Sequence, residues 1–204
     1  MSYDPLPDGD LAAVVTFLEM REPPAAPVPA SNLALRRIER SEPDAYRALF
    51  RRVGAPWLWF SRLILEDSKL TAILHDPAVE LYAVEDSSGG DVGMVELDFR
   101  EAGECELAFI GLVPELAGKG YGRWLLAQAV ALAWRDGVSR VHVHTCSLDH
   151  PAALAAYRRA GFTPYKRSVE RFPDPRLLGI LPGDCAPQVP VLGTVTSIES
   201  RPDS

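Results

Sequence analysis

The sequence predicts a single α/β domain. Three observations carry this: strand-like runs recur from the first twenty residues onward, three of them lie close together in the middle of the chain, and the segment after those alternates helix and strand from a glycine-rich turn. The 204 residues suffice for one domain with a sizeable core, and a hydrophobic fraction of 47% with 24% charged residues is ordinary for a globular protein in water.

Val14 to Met20 reads as a strand, rich in β-branched and aromatic residues. Left exposed it would be an aggregation risk, so it is expected to pair with the main sheet or with a partner subunit, which leaves a homodimer open. The prolines of Pro23-Pro24-Ala25-Ala26-Pro27-Val28-Pro29 then make an extended connector, because proline fixes φ and lacks an amide donor. Leu33 to Glu39 is the next strand. Ser41-Glu42-Pro43-Asp44 looks like a helix start, with Ser41 as cap and an early proline. Helices are expected over Asp44 to Val53 and about Trp59 to Leu74, the second ended by Asp76-Pro77.

Val79 to Val84, Val92 to Phe99 and Cys105 to Val113 are separated by short turns, which suggests an antiparallel meander. Gly122 to Arg135 carries apolar sets at helical spacing (Leu125, Ala129, Leu132; Leu126, Val130, Ala133). Val141 to Cys146 is a strand, Pro151 to Ala160 a helix closed by Gly161, and Phe162 to Val169 the last strand. Recurrent prolines from Pro173 onward predict an irregular tail with a loose end.

A net charge of −7 argues against nucleic acid as an electrostatic partner. Three cysteines without a CxxC pair give no disulfide framework and favour a reducing cytoplasm. The acidic N-terminus lacks a signal-peptide core, and Leu11 to Met20 is too short to span a bilayer, so no membrane association is expected.

The most informative segment is Leu112-Val113-Pro114-Glu115-Leu116-Ala117-Gly118-Lys119-Gly120-Tyr121-Gly122-Arg123. Three alternate glycines join a buried strand to an amphipathic helix. Without Cβ atoms the backbone turns tightly and offers its amides, and the helix start adds unpaired N–H groups and a positive dipole end. Together these make an anion site suited to a pyrophosphate. The alternative is a glycine-rich turn with no ligand. A Walker A loop is absent, and the spacing GxGxG is not that of a dinucleotide fingerprint.

Here the sequence resembles the GNAT superfamily of acetyl-CoA-dependent N-acetyltransferases. Its Q/R-x-x-G-x-G/A motif is matched by Ala117-Gly118-Lys119-Gly120-Tyr121-Gly122, with Ala117 where the family usually has Gln or Arg. That departure removes a side chain but no backbone amide. A second family motif, N-x-x-A-x-x-x-Y-x-x-x-G-F, is matched from His150 to Phe162, with His150 in place of Asn and with Ala153, Tyr157, Gly161 and Phe162 retained. The resemblance covers about residues 33–169. It implies a mixed, strongly twisted sheet with helices on both faces, and the N-terminal strand and the tail lie outside it.

The resemblance also implies roles. Gly118, Lys119, Gly120, Tyr121, Gly122 and Arg123 would hold the CoA pyrophosphate. Ile110, Gly111 and Leu112 would line a gap between splayed strands where the pantetheine arm pairs with backbone. Tyr157 would protonate the departing thiolate, against the alternative of a core aromatic. Glu106 would act as general base through a raised pKa, against an ordinary strand-start charge, with Glu96 in reserve. His150 is expected to cap the following helix or point toward CoA. His142, His144 and Cys146 share a strand face by parity, but no further ligand accompanies them and no metal is assigned. His75 reads as a helix-end residue. The rings of Trp57-Leu58-Trp59-Phe60 are expected to pack between the early helices, with one Trp a candidate to contact substrate, including a cation through its ring face. Two functions follow: acetyl transfer to an amine of a small molecule or peptide, or a non-catalytic acyl-CoA-binding module.

Overall fold

The computed structural model describes residues 3–193. Its strands are β1 (Asp10–Met20), β2 (Ala34–Ile38), β3 (Val79–Glu85), β4 (Asp91–Asp98), β5 (Glu104–Leu112), β6 (Arg140–Cys146) and β7 (Thr163–Pro173). Its helices are α1 (Pro43–Gly54), α2 (Asp67–Leu74), α3 (Tyr121–Ala133) and α4 (Ala153–Arg159). All seven strands form one sheet in the order β2-β3-β4-β5-β6-β1-β7. Every neighbouring pair is antiparallel except β5 and β6, which run parallel and are joined through α3, as a parallel pair requires a crossover.

The meander β3-β4-β5 is the centre of the core. β3 and β4 are buried almost throughout, at residues of both parities, so both sheet faces are covered there. Helix α1 covers one face with Tyr46, Phe50 and Val53, spaced at i, i+4 and i+7. Helix α3 packs against β5 and β4 with Trp124, Leu125, Ala129, Val130 and Ala133. Gly111 lets α1 approach β5 closely: a Cβ there would lie 2.6 Å from Val53 Cγ1.

The N-terminal strand does pair with the sheet, and it does so as an interior strand between β6 and β7, not as an added edge. Its Ala13, Val15, Leu18 and Met20 are buried.

The helix expected over Trp59 to Leu74 is absent in its first half. A 3-10 turn at Ala55–Trp57 ends on Leu58 with φ 57°, and regular helix begins only at Asp67. The reason is packing: Trp59 sits over Gly54 and between Phe50 and Phe109, while Phe60 reaches Phe172 on β7. Apolar contacts in such divergent directions cannot be made from one helical face. Glu42, not Ser41, precedes α1, and Ser41 Oγ donates to the Glu42 carbonyl. His75 ends α2 as expected, with Nε2 3.2 Å from the Ser41 carbonyl oxygen.

The tail is irregular but well anchored as far as residue 193; the remainder lies outside the described residues. Arg176, almost wholly buried, donates to the Asp174 carboxylate at 2.7 Å and to the carbonyl of Val189 at 2.8 Å. This clasp folds Leu181 and Ala186 onto Leu58.

Candidate active site

The site begins where the sheet opens. β5 and β6 pair only from Glu104 with Arg140 to Glu106 with His142; beyond that the ladder between them stops. The edge of β5 from Leu107 to Leu112, which includes Ile110, Gly111 and Leu112, therefore has no partner strand on the β6 side. This is the gap that the resemblance implied.

At the end of that edge the chain passes Pro114–Leu116 and enters the glycine turn. Gly118 and Gly120 have φ of 73° and 83°, a conformation that disfavours side chains, and Gly120 caps α3 without any side-chain hydrogen bond. A Cβ at Gly118, Gly120 or Gly122 would meet nothing within 4 Å. The protein itself thus leaves space beside all three. The amides of Gly118, Gly120, Tyr121 and Gly122 donate to no carbonyl among the described residues. Four undirected donors at a helix start fit a polyphosphate. Beside them lies a cavity of ≈ 470 Å³ walled by Lys119 and Arg123 on one side and, on the other, by Pro29 at the end of the proline-rich connector and by Ala30, Ser31 and Asn32 just after it. The connector's place at the cradle could not be read from its composition.

On the β6 side of the gap, Tyr157 on α4 is partly buried, and its ring meets Phe162 edge-on at 5.9 Å. Burial, reinforced by the Asp149 carboxylate, raises its pKa above the ordinary phenol value. Its hydroxyl makes no hydrogen bond to another described residue. Asp149 ties the two sides of the gap together. It accepts from Trp59 Nε1 at 3.1 Å, Thr145 Oγ1 at 2.7 Å and the Cys146 amide at 2.8 Å. Of the two tryptophans, Trp59 is the bridge, while Trp57 meets the ring of His150. His150 Nδ1 accepts from the Ala152 amide at 3.0 Å, so it does serve the start of the α4 segment.

Glu106 lies at the closed end of the gap. Leu107 pairs with Leu97 but Phe109 with Glu96, so Ala108 is an extra residue in β5. This bulge reverses parity and puts Glu106 on the sheet face shared with Glu96 and Phe109, the α1 side. His144, two residues past the last β5–β6 pair, reaches back with Nδ1 3.2 Å from Glu106 Oε1. The expectation of a raised Glu106 pKa is reversed: the hydrogen bond from His144 outweighs burial and lowers it. The same bond raises His144. Next to it, burial lowers His142, whose Nε2 is 3.5 Å from Glu104. Sequence parity placed His144 on a common face with His142; its pairing with Glu106 depends on the strand register, which no local signal announces.

Glu96 is not placed to act as a base. It is 0% exposed, and its two carboxylate oxygens accept from Tyr46 Oη and Arg62 Nη2, each at 2.5 Å. Arg62 also lies over the Phe109 ring at 5.1 Å, and its buried Nε has no partner among the described residues. Among the described residues no group of three or more His, Cys, Asp or Glu side chains is placed to hold a metal, and no helix is long and apolar enough to cross a membrane.

With the gap, the glycine turn and the half-buried tyrosine in place, comparison with known proteins gives one answer. The chain belongs to the acetyltransferase (GNAT) family, which it matches over residues 37–162. A mycothiol acetyltransferase from Clavibacter michiganensis subsp. michiganensis is 33% identical over 138 residues, 67% of this chain and 44% of that protein. Another from Beutenbergia cavernae is 28% identical over 126 residues, 61% of this chain and 42% of that one. The chain therefore spans less than half the length of these curated relatives. Among solved structures, a GCN5-related N-acetyltransferase from Sphaerobacter thermophilus superposes with a TM-score of 0.60 at 22% identity, covering 85% of this chain and 53% of that one. Spermidine N-acetyltransferase from Vibrio cholerae, in complex with CoA and spermine, superposes with a TM-score of 0.55 at 24% identity, covering 70% and 94%.

Proposed function

We propose that this chain transfers an acetyl group from acetyl-CoA to an amine of a small molecule or peptide by direct attack, in the cytosol and without a metal. The observation that carries this is the continuity of the unpaired β5 edge with a cradle of four undirected amides at the start of α3. The amides of Gly118, Gly120, Tyr121 and Gly122 hold the pyrophosphate, with Lys119 and Arg123 adding positive charge. The backbone of Ile110, Gly111 and Leu112 receives the pantetheine arm and positions the thioester. His150 keeps the start of the α4 segment in order beside it.

Tyr157 is the acid. Its raised pKa keeps the proton on the phenol until a thiolate forms nearby, and the lack of another acceptor leaves that proton available. The relatives named for mycothiol and spermidine support a small-molecule acceptor here. The same burial of Tyr157 is the observation that favours a binding module, since a phenol made less acidic donates less readily. Thioester consumption with a panel of amines decides. Turnover with release of free CoA supports the transferase; binding of acetyl-CoA without turnover of any amine establishes the module instead.

A further inference from the structure

We infer that His144 is the group that takes the proton from the acceptor ammonium, with Glu106 holding it in the tautomer that can do so. This rests on the acetyl-transfer reading and goes beyond it, because the base was expected to be Glu106 itself.

The geometry assigns the roles. Nδ1 of His144 faces Glu106 Oε1 at 3.2 Å, so it carries the hydrogen and donates it to the carboxylate. Nε2 then bears the lone pair, and it makes no hydrogen bond to another described residue. The His144 side chain is 49% exposed against 31% for Glu106. A substrate nitrogen therefore meets the imidazole before the carboxylate. Phe17 on β1, 5.8 Å between ring centroids, supports the ring from the neighbouring strand. The last β5–β6 pair, Glu106 with His142, puts all this at the apex of the gap, where a nucleophile would approach a thioester lying along β5.

The charged groups around the ring are Glu106 and Glu104 on β5, His142 on β6, Asp149 beyond it, and Glu170 and Lys166 on β7. Glu106, Asp149 and Glu170 favour the imidazolium, and burial opposes it. The net rise above the ordinary imidazole value brings His144 toward neutral pH, where a general base is most effective.

The step balances. Neutral His144 Nε2 takes one proton from R–NH3+, leaving R–NH2. The amine nitrogen attacks the thioester carbonyl, a C–N bond forms, and the C–S bond breaks with its electron pair leaving on sulfur. The second nitrogen proton is lost to solvent as the amide forms, the thiolate gains one from Tyr157, the Tyr157 phenolate is reprotonated from solvent, and the imidazolium returns its own proton to solvent. The sum is amide, CoA thiol and one released proton.

The test uses the intact chain, acetyl-CoA and the best amine of the panel, between about pH 6 and 9. For the parent, kcat/KM should rise with pH along a limb set by a group above 6.5. His144→Gln should lower kcat/KM by ~10²-fold or more and abolish the limb, with thermal stabilisation by CoA unchanged. Glu106→Gln should shift the limb to lower pH, and the histidine NMR titration of residue 144 should shift with it. His142→Gln should leave the limb in place. If the parent turns over an amine while His144→Gln keeps the parent rate and pH profile, the inference falls and acetyl transfer stands. If no amine is turned over, the transferase reading falls first, and this inference with it.

Discussion

The proposed phosphate cradle and the proposed acceptor face around Glu106 and His144 lie at opposite ends of one strand, β5, and are built in opposite ways. The cradle is a single run of sequence, Gly118 to Arg123, and what it offers is backbone amides without a carbonyl partner among the described residues. The proposed acceptor face would draw its side chains from β1, β5, β6, β7 and the segment between α1 and α2, which are far apart in sequence. A contiguous backbone device needs only the right glycines to form. A discontinuous one depends on register, bulges and long-range packing, so single substitutions should affect the two ends differently.

The largest effect is expected beneath the acceptor face. Glu96→Ala would leave the Arg62 guanidinium and the Tyr46 hydroxyl buried without their shared acceptor. Removing one partner of a buried ion pair costs ~3–5 kcal/mol, so chemical denaturation should show a loss of that size. An effect below ~1 kcal/mol would mean that water reaches Arg62, and the acceptor face is then less enclosed than its packing indicates.

At the cradle the effect should fall chiefly on ligand binding, with a smaller cost to the fold because φ 83° strains any side chain. Gly120→Val places a branched side chain at φ 83° and fills the space beside the amides. Stabilisation by CoA, about 2.7 kcal/mol at a hundredfold excess over Kd, should vanish. Persistence of the full stabilisation would overturn the assignment of the cradle.

Tyr157→Phe lies between the two ends. The ring contact with Phe162 should survive, CoA should bind as before, and kcat should fall by ~10²-fold if the phenol is the acid. A parent rate would make Tyr157 a core aromatic only. Gly111→Ala should be milder still, ~1–3 kcal/mol of stability through overpacking, since its Cβ would meet Val53 at 2.6 Å.

The order of strands and helices was largely legible because the core strands are apolar runs and the turns carry glycine, proline and aspartate. The glycine turn was legible because three glycines stand together at a strand-to-helix junction. What could not be read is instructive. Ala108 looks like any strand residue, yet as a bulge it decides which face Glu106 occupies. Trp59 suggested a helix face, and only its simultaneous contacts with Gly54, Phe109 and Asp149 show why no helix can form there. His144 was visible as an imidazole on a strand, but its partner is 38 residues away. Asp149, beside His150 in the family motif, was within reach of sequence reasoning as a short acidic residue poised to close a turn.

The smallest expected effect concerns the pairing of Glu106 with His144. The hydrogen bond from His144 holds the Glu106 pKa below its ordinary 4.5, so that part of the stabilisation is present above 4.5 and is lost as pH falls through the lowered value. The same bond holds the His144 pKa above its ordinary 6.5, so that part is present below 6.5 and is lost as pH rises through the elevated value. The two conditions overlap between 4.5 and 6.5, where the carboxylate and the imidazolium coexist in the folded protein and each gains from the other. Because both side chains are substantially exposed, solvent screening limits the gain to less than about 1 kcal/mol. Glu106→Gln should therefore destabilise the protein most within that window and progressively less toward alkaline pH, where neutral imidazole no longer needs the anion. Thermal melts of parent and variant across pH measure the difference. A deficit that is constant with pH would show that Glu106 stabilises through packing alone.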